Sequence, residues 1–304
     1  MTGPAALARL LLGAACISTA APLASASGLP ASVSAFWRMA LAAIVLLGLL
    51  RLTRHWRPVA ARDWAWLALP AVAFAADLWF WHRSIAAIGP GLSTLLANFQ
   101  VFALALAGWL LYRERLTARY LGGLVLAAVG LWLLLGRGWH ETTAGYRGGV
   151  WFGLATAVAY AVYLLVFRHV RRFGVAVPAV QSLAMITLLC VPMLAIATGI
   201  EGRSLAIDSV RALLAVLALA ILAQCLGWWL IAEAMPRLSA SVVGLGLLLQ
   251  PLLAFIQDVL LFARATSHSD WLGLALALVG IFLGANGIAR TDPSASATPD
   301  RGRA

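Results

Sequence analysis

Lysine is absent from this chain, and all 22 basic residues are arginine. No lysine amine is therefore present to form a Schiff base or act as a nucleophile. Acid is scarce as well: Asp and Glu together number 11, and charged residues make up only 11% of the sequence. So few charges cannot keep in water a chain of 304 residues that is 63% hydrophobic, with mean hydropathy +0.93, and the composition reads as a polytopic membrane protein. The formal net charge of +11 would suggest nucleic acid in a soluble domain. Here the arginines lie mostly in short segments between apolar runs, where they set orientation in a bilayer, and no nucleic acid is expected. Only Cys16, Cys190 and Cys225 occur. All three sit in apolar segments without C-x-x-C spacing, which points to small buried residues rather than a disulfide framework or zinc site. G-x-S-x-G, a Walker A loop and a metal-ligand cluster are missing too. His140-Glu141 begins like a zinc-protease motif, but Ala144 stands where the second His is needed. No enzyme, cofactor or metal is expected, and without a nucleotide-binding motif a primary pump is not expected either.

What is present is an internal repeat. Gly123 to Leu133 (GLVLAAVGLWL) lies over Gly273 to Leu283 (GLALALVGIFL) at an offset of 150 residues, with 7 of 11 positions identical. The same offset places Trp79 on Trp229 and Gln100 on Gln250. Two similar hydrophobic halves mark a duplicated transporter, whose solute site usually lies near the membrane midplane between the repeats.

Apolar runs long enough to cross a bilayer fall at residues 6–24, 34–50, 64–86, 90–112, 118–135, 149–168, 178–198, 210–232, 240–262 and 270–289. The fold class is thus all-α integral membrane, with ten transmembrane helices in two five-helix repeats, 6–137 and 148–289, and a disordered polar tail at 290–304. The N-terminal LLLGAACISTAAPLASAS resembles a secretory signal, but removing it would leave the first half one helix short. Five helices per half is an odd number, so the second repeat enters from the opposite side and is inverted. With both termini in the cytoplasm, 15 arginines lie inside and 6 outside, as the positive-inside rule favours. Trp56, Trp64, Trp66, Trp139, Trp151 and Trp271 fall at helix ends, where indoles anchor at the interface.

Charged side chains near the bilayer centre are costly and are usually paired or face a cavity. Here they are Arg38, Asp77 and Asp258. Arg38 and Asp77 lie at similar depth, roughly 7 to 8 Å apart along the axis at 1.5 Å per residue, within reach of a long Arg side chain. They are expected to form a static pair or to share in binding or proton coupling. Asp258 is shallower. Gln100 and Gln250 are repeat partners near mid-helix, where an amide offers donors and acceptors without a charge, so they are the first candidates to contact solute. Interhelical hydrogen bonding is the plainer alternative. Asn98, Gln224 and Gln257 are weaker candidates of the same kind. Asp77, Trp81 and Ser84 share one face of the third helix, and Trp81 and Trp228 are expected as apolar walls. Gly280 and Gly284 form G-x-x-x-G, and with Gly123 and Gly130 they mark close packing in the scaffold or a homodimer contact. Pro251 frees a carbonyl near Leu247 and makes the ninth helix the expected flexing element. Pro90-Gly91 reads as a turn.

These residues resemble a known family. The ten-helix inverted repeat, Arg38 in AFWRMALAAIVLL, the stretch DLWFWHRSIAAIGPGLSTLLANFQVFALALAGWLLYRERLT and the following G-x-x-x-x-x-x-G helix are similar to the EamA branch of the drug/metabolite transporter superfamily, over roughly residues 6 to 289. The resemblance implies a secondary carrier in the bacterial inner membrane, most often an exporter of amino acids or related metabolites by alternating access. An uptake carrier and a non-transporting receptor or scaffold are the other readings. The expected partners are a small-molecule solute and the lipid bilayer, with protons and a second copy of the chain as further candidates. Two positions depart from the family pattern: Val101 stands where a Pro is common in the fourth helix, and the repeat partner of Glu114 is Arg264.

Overall fold

The computed structural model describes residues 3–112, 116–136, 139–140, 142–175, 177–238 and 240–286. Arg113, Glu114, Arg115, Arg137, Glu141 and the tail beyond residue 286, all used in the sequence reading, lie outside them. Among the described residues ten helices are long and apolar enough to cross a membrane. Spans 1 to 5 are Pro4–Ala26, Ala31–Leu52, Ala61–Ile88, Pro90–Leu111 and Ala118–Leu135. Spans 6 to 10 are Ala144–Arg172, Val180–Ile200, Val210–Ala234, Val242–Phe262 and His268–Ala285. Each overlaps an expected apolar run, with ends shifted by up to five residues. The largest difference is span 6, which starts five residues early because Thr143 caps its first turn, its side chain accepting from the Tyr146 N–H at 3.2 Å. The turn between spans 3 and 4 is made by Gly89, at φ +87°, a backbone region that disfavours side chains. Pro90 is the first residue of the next helix, where its missing N–H costs nothing.

The packing follows a pseudo-two-fold pattern. Span 3 packs on span 6 as span 8 packs on span 1, and span 4 meets span 6 as span 9 meets span 1. Spans 2 and 7, 4 and 9, and 5 and 10 pair with their own repeat partners. Glycine explains the last pair. A Cβ on Gly130 would lie 2.4 Å from the Ala277 nitrogen, and one on Gly280 would lie 2.4 Å from the Ala127 nitrogen, so the two backbones touch only because side chains are missing. The G-x-x-x-G face is therefore used within the chain as scaffold and is not free for a dimer contact.

Three spans are irregular where the site lies. Span 4 is interrupted between Pro90–Ala97 and Gln100–Tyr112, and span 9 between Ala240–Leu247 and Leu249–Phe262. The breaks are repeat-equivalent, at 98–99 and 248. Pro251 pointed to span 9 alone as the irregular helix of this pair. Span 4 breaks without a proline: Phe99 N–H bonds the Leu96 carbonyl three residues back, and the Asn98 amide takes the Thr94 carbonyl at 2.8 Å. Span 8 widens into a π-helix over Leu219–Gly227.

Two apolar clusters carry most of the core. One, around Phe74, Leu78, Tyr163 and Met185, joins spans 2, 3, 6 and 7, and it takes in Trp56, Trp64 and Trp66, which pack there rather than only anchoring at an interface. The other, around Leu92, Phe102, Ala127 and Phe255, joins spans 4, 5, 6, 9 and 10. Cys190 is buried, while Cys16 and Cys225 are only half-buried, and all three are free thiols.

Candidate functional site

Arg38 lies on span 2 with Ser34 one turn before it, and only 5% of its surface is accessible. Its guanidinium crosses to the second half of the chain. Nε and Nη2 both donate to Oε1 of Gln224, at 3.2 and 2.8 Å, and the guanidinium carbon stands 5.3 Å from the ring centre of Trp81. Arginine has only donors, so the amide oxygen must face it. The widened turn of span 8 carries Gln224 to this place, a use of π-helical irregularity that recurs at functional sites.

Asp77 is buried on span 3, 7% accessible, and among the described residues its carboxylate accepts no hydrogen bond and forms no ion pair. The expected direct pair with Arg38 is not formed: the guanidinium is turned to Gln224, though Arg38 is near enough to act on Asp77 through space. Tyr160 and Tyr163 on span 6 and Cys190 on span 7 are the other polar groups within electrostatic reach of Asp77. Nearby polar atoms are left open as well. Among the described residues, Ser34 Oγ, Ser84 Oγ, His82 Nε2 and Gln224 Nε2 are buried without a partner. His82 bonds only the Leu78 carbonyl, through Nδ1 at 2.8 Å. Buried polar groups are normally hydrogen-bonded, so open atoms beside a buried guanidinium and a buried carboxyl mark this region as the candidate site.

The remaining candidates divide. Gln100 and Gln250 are half-buried, each just after the break in its span, and neither side-chain amide has a partner among the described residues. Their neighbours Phe99, Val101, Leu248 and Leu252 belong to one apolar cluster. Trp228 is half-buried at the end of the π-helix. Three other candidates have partners within the chain. Asn98 is tied to its own helix, Gln257 donates to Ser18 Oγ at 3.0 Å and the Leu253 carbonyl at 3.1 Å, and Asp258 accepts from the Gly91 N–H at 3.1 Å. Arg264 pairs with Asp258 at 3.3 Å and also donates to the Ile88 carbonyl at 3.1 Å. Asp258 on span 9 and Arg264 just past its end thus close both helix ends at the 3–4 turn.

The sequence reading missed a second charged cluster. Glu201, just past span 7, is bonded by Ser32 Oγ at 2.8 Å and Trp79 Nε1 at 3.0 Å and pairs with Arg83. Arg83 stacks over Trp79, 3.4 Å from its ring centre. Its one signal in the sequence is that Trp79 and Arg83 are spaced i, i+4.

Ten spans related by an internal two-fold, two interrupted at equivalent mid-helix positions, with a polar centre between the halves, define a secondary carrier of the inverted-repeat class. The sequence profile of the EamA-like transporter family matches residues 5–136 and 147–285, one segment in each half. The chain belongs to that family and is a multi-pass membrane transporter of the drug/metabolite type. It is 24% identical over 234 residues to an uncharacterized transporter, YwfM, from Bacillus subtilis (strain 168), covering 75% of this chain and 76% of that protein. A crystal structure described only as that of a protein shares the fold, with a TM-score of 0.64 and 21% identity over 95% of this chain and 100% of the other.

Proposed function

We propose that this transporter exports amino acids or related zwitterionic metabolites by alternating access. In this reading Arg38 receives the solute carboxylate and Asp77 its ammonium, with Trp81 as an apolar wall. The observation that carries the proposal is a buried guanidinium and a buried carboxyl that both keep open valences: a carboxylate with no donor is costly inside a membrane, and an ammonium supplies the donors that would hold it ionised. Arg38 has further N–H groups beyond the two on Gln224, enough for a carboxylate. Gln100 and Gln250 add open amides from the two halves next to the breaks, where a gate can move, and Trp228 is a second wall. Residues 6–137 and 148–289 are the two repeats that rock against each other.

We further place the chain in a bacterial inner membrane with both termini cytoplasmic, from the arginine distribution. A cysteine placed at Ser296 should react with an impermeant label only after permeabilisation, and labelling in intact cells would reverse the orientation. Protons would compete with solute at Asp77, so imposing a pH gradient across the vesicle separates exchange from facilitation. The transport proposal is tested by counterflow of labelled amino acids into proteoliposomes. Saturable uptake above empty vesicles supports it, whereas binding without flux indicates a receptor.

A further inference from the structure

The Arg83–Glu201 cluster closes one end of a groove that none of the solute chemistry uses. The groove lies between spans 3 and 7, has a volume of about 360 Å³, and is lined by Ala75, Ala76, Trp79, Met193 and Ala197 with Glu201 at its mouth. From Met193 to Glu201 it follows span 7 for about 12 Å at 1.5 Å per residue. It opens away from the bundle: Ile200 beside it is 82% exposed and Ile196 64%. In a membrane protein that side meets lipid, and the alanines leave the width of a chain between the two helices.

The mouth is built for a headgroup. Glu201 accepts from Trp79 and Arg83 on Oε1 and from Ser32 on Oε2, which leaves one of a carboxylate's roughly four acceptor positions open, on Oε2. Arg83 spends one N–H on the Trp79 carbonyl at 2.9 Å and one on Glu201, and among the described residues the remaining N–H groups of its guanidinium are unused. The cluster is therefore a neutral dipole with a free donor set at one end and a free acceptor position at the other. An anionic headgroup gains at Arg83 but is repelled by Glu201. A headgroup carrying both phosphate and a primary ammonium satisfies both ends.

We propose that this groove is a binding site for one phosphatidylethanolamine molecule, an acyl chain lying along Ala75, Ala76, Met193 and Ala197, the phosphate on Arg83 and the ammonium on Glu201. Native mass spectrometry tests it, with the full chain taken from micelles holding equal amounts of dioleoyl phosphatidylethanolamine and dioleoyl phosphatidylglycerol. The wild type should retain one ethanolamine lipid in preference to the glycerol lipid by about tenfold, the size of one charge-assisted hydrogen bond. Glu201→Gln should bring the two lipids to parity, and Ala76→Phe with Ala197→Phe should remove both. If the filled variant does not give a monodisperse protein, Arg83→Gln decides in its place by lowering retention of the ethanolamine lipid. Equal retention of the two lipids by the wild type, or an undiminished preference in Glu201→Gln, overturns the proposal.

Discussion

Arg38 and Gln224 join the two halves through one oxygen: two guanidinium N–H groups of span 2 converge on Oε1 of a glutamine carried by the π-helical turn of span 8. Gln224 is fully buried. Gln224→Leu leaves a buried cation without its acceptor and should cost about 3 kcal/mol of stability. Gln224→Glu supplies a carboxylate and should recover most of it. Apparent melting temperatures of the two variants in detergent check this; equal losses in both would mean that the contact holds little.

Gln100 and Gln250 stand after breaks at equivalent positions, so both should matter. Gln100→Leu and Gln250→Leu are each expected to abolish saturable counterflow while leaving protein in the membrane. Flux that survives both changes at normal expression would reduce these amides to helix contacts.

Gly122 and Gly123 separate close packing from mere presence of glycine. A Cβ on Gly123 would meet the Gly284 nitrogen at 2.6 Å and the Gly280 carbonyl oxygen at 2.7 Å, whereas nothing lies within 4 Å of one on Gly122. Gly123→Val should destabilise by about 3 kcal/mol or more through backbone displacement, and Gly122→Val should be tolerated. Size-exclusion profiles from solubilised membranes distinguish the two.

Glu201 gives a pH signature. Burial alone raises its pKa, but hydrogen bonds from Ser32, Trp79 and Arg83 and the Arg83 charge outweigh it and hold the carboxyl below its ordinary 4.5. Its contribution to stability is complete above that ordinary value and is lost as pH falls through the lower folded one. Melting temperature measured downward from about pH 6 should drop more steeply in the wild type than in Glu201→Gln. Parallel curves would remove Glu201 from the acid response.

The ten spans were legible because a run of apolar residues has few ways to satisfy its backbone in a bilayer other than as a helix. The pairing of spans 5 and 10 was half legible. The glycines showed that something packs closely there, but not that the partner is the chain's own repeat. The break in span 4 was hidden, since Asn98 and Phe99 make it with hydrogen bonds rather than with a proline. Arg38 and Asp77 stood out by charge and depth, yet Gln224 looked like one amide among several. Its role depends on a π-helical turn and on a neighbour 186 positions away, neither of which leaves a local pattern. Glu201 was passed over because it falls outside an apolar run, where acid is ordinary, and only the fold brings Ser32, Trp79 and Arg83 around it.

The central claim is that one buried centre reads both ends of a zwitterion, and the most direct measurement is counterflow of a transported amino acid beside its methyl ester and its decarboxylated amine. The account predicts that the wild type moves the amino acid and rejects both analogues, and that Asp77→Asn and Arg38→Gln each abolish amino-acid flux in folded protein. Ester or amine moved as fast as the parent amino acid, or full flux in both variants, would contradict it.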